Sequence, residues 1–187
     1  MLIAVNLNTC GALPHEREIL LEGRGTILLP ATLAAVEKGM STGVGAEGRG
    51  EREERLYYTA EGMVPLAAFD PNRNTTLSDL FRILENYIRN LRFARDCLLD
   101  ERLLSSDPEK GVFVRDLAVR SVWGAGSRED AHEKICHVAA CLAAKDRVMG
   151  AGSAMAQVRT VLADGSRGLG ECLKAVETVH REWNYIV

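Results

Sequence analysis

The feature that most constrains the fold is a long helical pattern that begins at residue 76. Thr76 followed by Asp79 matches a capping box, the reciprocal side-chain exchange that opens a helix. Apolar residues then recur at helical spacing, at Leu77, Leu80, Leu84, Ile88, Leu91 and Leu98, and are flanked by Phe81, Ile83 and Tyr87. A stripe this wide predicts a helix over about 76–98 that is covered on more than one side. Its central apolar residues are expected to be among the most buried in the chain.

The residues before this helix predict a β-rich segment with one helix. Runs of Leu, Ile and Val at 2–8 and 16–22 are typical of strands. Residues 31–39 follow Pro30 and end at a glycine, which favours a short helix.

A glycine-rich stretch comes next, at residues 41–55. It holds four glycines and seven charged residues, with almost nothing to bury, which predicts a flexible loop. Residues 55–69 then alternate in a way that favours a β-hairpin with its turn at Glu61–Gly62.

The residues after the long helix predict one hairpin and further helices. Residues 112–114 and 119–122 are expected to pair as antiparallel strands, and Ser127 with Asp130 favours the start of another helix. Shorter helices are predicted around 153–163 and 169–183. The organisation predicted is therefore a β-rich lobe at 1–69, a linker at 70–75 and a helical lobe at 76–187, an α+β fold.

The composition excludes some classes of partner. A net charge of −3 gives no reason to expect binding to nucleic acid or to an anionic membrane. No apolar run reaches the roughly 18 residues that a membrane span needs, so no membrane insertion is expected. The five cysteines are scattered and odd in number, which favours reduced packing residues in a cytoplasmic protein.

The order of these elements resembles a protein-kinase-like fold in reduced form, with a small β-rich N-lobe and a mainly helical C-lobe. Within residues 80–116 lie the motifs Cys97-Leu98-Leu99-Asp100, Leu103-Leu104, Asp107-Pro108-Glu109 and Val112-Phe113-Val114. With these motifs the segment resembles, more narrowly, a bacterial kinase-like domain of unknown function that is often found N-terminal to forkhead-associated domains. The stretches at 25–30 and 55–69 are also similar to that family.

The residues that phosphoryl transfer requires are missing from this frame. In kinases an Asp acts as base and an Asn five residues later holds Mg²⁺. With Asp107 as the base the Asn position is Val112, and with Asp100 as the base it is Ser105. Neither side chain offers an amide ligand.

The metal-binding Asp-Phe-Gly turn of kinases would fall at Val122-Trp123-Gly124. A valine cannot hold Mg²⁺. The resemblance therefore implies a catalytically inactive domain, with no catalytic, cofactor-binding or metal-binding residue assigned. Asp107, Glu109, Val122 and Trp123 remain as candidate positions along the cleft between the lobes. Trp123 could line that cleft or be an ordinary core aromatic residue.

Two further patterns have a simpler explanation than a binding site. Residues 43–48 match Gly-x-Gly-x-x-Gly, but they follow a predicted helix and lead into a charged run, which favours a linker over a phosphate-binding loop. His132, Cys136, His137 and Cys141 fall on two helical faces that cannot converge on one ion. Packing cysteines with peripheral histidines are favoured over half of a metal site that a second chain would complete.

The resemblance thus implies a kinase-like protein-interaction or scaffolding module in bacterial signalling or assembly, with a protein as its partner and no cofactor. The alternative is a small enzyme or ligand-binding protein that uses the interlobe cleft without the kinase residues.

Overall fold

A computed structural model describes residues 1–21, 27–37, 52–125, 129–163 and 165–184. The strands are β1 (Leu2–Asn6), β2 (Ala31–Glu37), β3 (Arg52–Thr59), β4 (Val64–Pro65), β5 (Val112–Arg115) and β6 (Ala118–Ser121). The helices are α1 (Leu7–Cys10), α2 (Pro14–Leu21), α3 (Leu77–Asp96), α4 (Ala131–Ala143), α5 (Ala151–Val161) and α6 (Leu169–Asn184), with a 3-10 turn at Glu101–Leu103. The α+β class is confirmed.

The first sheet is antiparallel and has the order β1-β3-β2. Leu56 of the central strand lies opposite both Val5 of β1 and Leu33 of β2. Leu56 and Tyr58, two residues apart, point to the same face, and both are almost completely buried. This face of the sheet therefore packs against the core.

The second sheet, of order β4-β5-β6, contains the predicted hairpin. Val112 pairs with Ser121 and Val114 with Val119, so the expected antiparallel pairing is confirmed. The tight turn places Leu117 at a φ of 65°, a conformation that a leucine rarely adopts. The Asn86 side chain, on α3, donates a hydrogen bond to the carbonyl of Leu117 at 3.0 Å and so fixes the turn against the long helix.

Helix α3 is the centre of the structure. The capping box between Thr76 and Asp79 is present, as predicted. Leu84, Ile88 and Leu91 have no solvent exposure, and the residues that widen the stripe are also fully buried. The helix contacts β6, α4 and α6, so the prediction of a helix covered on more than one side is confirmed.

Two of the elements predicted near the N-terminus have the wrong type of secondary structure. Residues 16–22 were expected to form a strand, but Pro14–Leu21 is helical. The Glu16 carboxylate accepts a hydrogen bond from the backbone N–H of Leu13 at 2.8 Å, which caps the start of this helix. Residues 31–39 were expected to form a helix, but Ala31–Glu37 is a strand. Seven residues of this strand pair with β3, and this tertiary pairing overrides the local preference of an alanine-rich segment.

The predicted hairpin over 55–69 is also wrong. The turn at Glu61–Gly62 is present, with Gly62 at a φ of 69°. The strands on its two sides nevertheless belong to different sheets, because β3 pairs with β1 and β2 whereas β4 pairs with β5. Strand β4 precedes the predicted 70–75 linker, and it thus shares a sheet with the β5–β6 hairpin that follows the linker.

Some predictions fall wholly or partly outside the described residues. Most of the predicted 41–55 loop and the whole 43–48 glycine motif lie there, whereas residues 52–55 form the first half of β3 instead of loop. Ser127 also lies outside. Helix α4 begins at Ala131, and its cap is Asp130, which forms a capping box with Glu133.

Candidate functional site

Two of the predicted cleft residues, Val122 and Trp123, are completely buried. Val122 continues the hydrogen bonding of the hairpin, because its N–H donates to Gly111 and its carbonyl accepts from Ser105, both at 2.9 Å. The Trp123 indole N–H donates to the carbonyl of Asp100 at 3.2 Å. Neither side chain is open to solvent. The burial of Trp123 matches a core aromatic residue and not a residue that lines a cleft.

Trp123 also joins the two sheets. Its carbonyl accepts a hydrogen bond from the hydroxyl of Tyr58, on β3, at 2.9 Å. The following residue, Gly124, has a φ of 85°, and a Cβ atom there would lie 2.7 Å from the side chain of Val5. The glycine at this position is therefore explained by close packing against β1.

The other two cleft candidates, Asp107 and Glu109, are exposed. The Asp107 carboxylate accepts hydrogen bonds from the backbone N–H groups of Glu109 and Lys110, at 2.8 and 3.2 Å. This is the local turn that an aspartate commonly stabilises. The four predicted positions thus comprise two buried core residues and two residues of a surface turn.

The histidines and cysteines of α4 are directed to different neighbours. His132 lies 3.3 Å from Cys172 of α6, whereas His137 pairs with Glu129 at 3.1 Å. Burial raises the pKa of Cys136 and of Cys172, which favours the neutral thiol over the metal-binding thiolate. Within the described part of the chain, no three metal-binding side chains gather.

A surface groove of about 670 Å³ lies between α2 and the end of α3. Leu13 and Leu98, on its rim, are exposed by 53% and 72%. The buried Glu16 connects the two walls, because its second carboxylate oxygen accepts a hydrogen bond from the N–H of Asp100 at 2.7 Å. Arg95 and Glu101 add charge of both signs to the lining.

Leu98 has a backbone conformation that is unusual for a leucine. Helix α3 ends in a Schellman motif, in which Leu99 donates to the carbonyl of Ala94 at 2.9 Å and Leu98 to that of Arg95 at 3.0 Å. The motif places Leu98 at a φ of 62°, where glycine is the usual residue. The groove is thus flanked by an apolar side chain in a strained conformation.

A second polar arrangement links α3 to α6. The Ser78 hydroxyl lies 2.8 Å from Nε2 of His180, and Nδ1 of the same ring lies 2.7 Å from Oε1 of Glu85. The ring is stacked on Phe81, with centroids 4.6 Å apart and an angle of 9° between the planes. A serine, a histidine and a carboxylate in this order form a chain of hydrogen bonds that can move a proton.

No protein-family model, curated protein or solved structure matches this chain. No helix among the described residues is both long and apolar enough to cross a membrane.

Sequence reasoning missed the Ser78–His180–Glu85 chain because serine and histidine are 102 positions apart. One signal was present. Ser78, Phe81 and Glu85 follow at intervals of three and four residues, which places them on one face of a helix. A carboxylate on a buried helical face requires a partner, and His180 provides it.

Proposed function

We propose that this chain is a protein-interaction module, kinase-like and without phosphotransferase activity, that acts in bacterial signalling or assembly. The observation that supports interaction most directly is the exposure of Leu98. This large apolar side chain is held 72% exposed at the rim of a groove, in a backbone conformation that favours glycine.

Leu98 is difficult to explain by folding alone. A leucine in the left-handed region costs roughly 1–2 kcal/mol relative to the ordinary helical conformation. Because most of its surface remains exposed, burial within the chain offsets little of this cost. A partner that covers the side chain would supply the missing burial. Apolar anchors surrounded by polar groups are typical of the energetic centre of protein interfaces.

Photo-crosslinking from position 98 tests the proposal. We expect a phenylalanine analogue with a photoreactive group at Leu98 to crosslink one defined protein in the native cells. Met149 is a matched control, because it is also an apolar residue on a loop and is 82% exposed. An identical crosslinking pattern from both positions, or no crosslink from position 98, would contradict the proposed interface.

Two substitutions of Leu98 separate stability from binding. Leu98→Gly and Leu98→Ala both remove the apolar side chain, so both should weaken the crosslinked partner's binding to a similar extent. Only glycine relieves the strained φ, so Leu98→Gly should be about 1 kcal/mol more stable than Leu98→Ala. Urea denaturation measures this difference. Equal stability of the two variants would show that the backbone of Leu98 is not strained.

The absence of phosphotransferase activity gives a prediction about nucleotide. Val122, at the position of the kinase metal ligand, is completely buried, and its side chain carries no oxygen atom. ATP with Mg²⁺ should therefore leave the melting temperature unchanged. A bound ligand at 100 times its dissociation constant would stabilise the chain by about 2.7 kcal/mol, which thermal denaturation detects easily. A Mg²⁺-dependent rise in melting temperature would overturn this part of the proposal.

A further inference from the structure

The hydrogen-bonded chain of Ser78, His180 and Glu85 has the connectivity of a nucleophile, a general base and an orienting carboxylate. Its two bonds, 2.8 Å and 2.7 Å, are both short enough for direct hydrogen bonds. The residues lie on rigid elements, since Ser78 and Glu85 are on the 20-residue helix α3 and His180 is on the 16-residue helix α6. This supports a fixed geometry.

The protonation of His180 follows from its neighbours. A Glu85 carboxylate can only accept a hydrogen bond, so Nδ1 of the ring must carry the proton. The other oxygen of Glu85 lies 3.3 Å from the Arg89 guanidinium. In the neutral ring Nε2 is then unprotonated, and it accepts the hydrogen bond that the Ser78 hydroxyl donates. This is the tautomer of the neutral ring that can accept the serine proton.

Burial decreases from the carboxylate to the nucleophile. The Glu85 side chain is 8% exposed and the His180 side chain 14% exposed, whereas Ser78 is half-buried. Ser78 is also the second residue of its helix, where the backbone N–H groups of Leu77 and Ser78 have no acceptor within the helix. N–H groups of this kind can donate to an oxygen that becomes negatively charged.

We propose that Ser78 is a nucleophile for acyl transfer from small, unhindered carboxylic esters, with His180 as its general base and Glu85 as the positioning residue. The Ser78 oxygen forms a bond to the ester carbonyl carbon while its proton passes to Nε2 of His180. The carbon–oxygen bond of the ester then breaks, and His180 returns the proton to the departing alcohol. Water next attacks the acylated serine, again through His180, which releases the carboxylic acid and restores the hydroxyl.

The first test uses the unaltered protein, so it does not depend on a variant that folds. We expect an alkyl fluorophosphonate to add covalently to Ser78, with one adduct per chain by intact mass and with the site confirmed by peptide mapping. Ser153 is the matched control, because it is an exposed serine on helix α5 without the histidine. Failure of Ser78 to react in the folded protein, or equal reaction of Ser153, would overturn the proposal.

The second test separates a catalytic array from a structural clamp. Ser78→Ala should abolish the adduct and the hydrolysis of p-nitrophenyl acetate, and His180→Gln should slow labelling of Ser78 at least 100-fold. Glu85→Gln should also slow it, because an amide can hold the ring in the wrong tautomer. Circular dichroism and melting temperature identify variants that remain folded. Labelling of a folded His180→Gln variant at the original rate would show that the three residues only hold the helices together.

Discussion

Replacement of Trp123 by alanine is expected to destabilise the chain by about 3–5 kcal/mol, the usual cost of removing a large buried aromatic side chain. Trp123 is the largest fully buried residue, so the substitution leaves a large cavity. It also leaves the carbonyl of Asp100 without its indole donor, at 3.2 Å. Since whole domains are stable by only about 5–15 kcal/mol, much of the stability should be lost.

The second tryptophan of the chain provides the control. Trp183, near the end of α6, is only partly buried, and its indole N–H donates to the side chain of Gln157 at 2.8 Å. Trp183→Ala should therefore cost less than Trp123→Ala. Urea denaturation of both variants measures the two free energies of unfolding. If Trp183→Ala is the more destabilising, the complete burial of Trp123 does not stabilise the fold as expected.

The parts of the fold that could be predicted from the sequence are those whose signal is local. Helix α3 was predicted because its cap and its apolar stripe lie within one continuous segment. The β5–β6 hairpin was predicted because its strands are separated by only two residues. Strand β2 was predicted as a helix and helix α2 as a strand, because short apolar segments fit either structure. For β2, the pairing with β3 decides the outcome.

The candidate sites depended on information that the sequence does not contain. The predicted cleft was placed by the resemblance, which gives the order of residues but not their burial, and Val122 and Trp123 are buried. The exposure of Leu98 became visible only when the end of α3 was located, because its position in the apolar stripe predicts a buried residue. Ser78 and His180 meet through the packing of two helices, which no local motif records.

Lys134 gives the second large expected effect. Its side chain is completely buried, and its ammonium group donates hydrogen bonds to the carbonyls of Arg102, at 2.8 Å, and Leu104. Lys134→Ala should cost roughly 3–6 kcal/mol, because each of the two hydrogen bonds from this charged donor contributes about 1.5–3 kcal/mol. Lys174→Ala is the control, since Lys174 is exposed on α6 and its removal should change the free energy of unfolding by less than about 0.5 kcal/mol. An equally small change in the free energy of unfolding for Lys134→Ala would show that these two hydrogen bonds do not stabilise the fold.

The pH dependence of stability tests the burial of the same side chain. Burial lowers the pKa of Lys134 below its ordinary value of 10.5, so the folded chain releases this proton at a lower pH than the unfolded chain. Between the lowered pKa and 10.5 the unfolded chain binds more protons, and the contribution of Lys134 to stability therefore rises with pH. Burial raises the pKa of Tyr58 and of Tyr87, which lowers stability above pH 10 and opposes this rise. We subtract the free energy of unfolding of Lys134→Met from that of the unaltered chain, which removes the tyrosine contribution. This difference is expected to increase towards pH 10. A difference that stays constant with pH would show that the ammonium group is not desolvated.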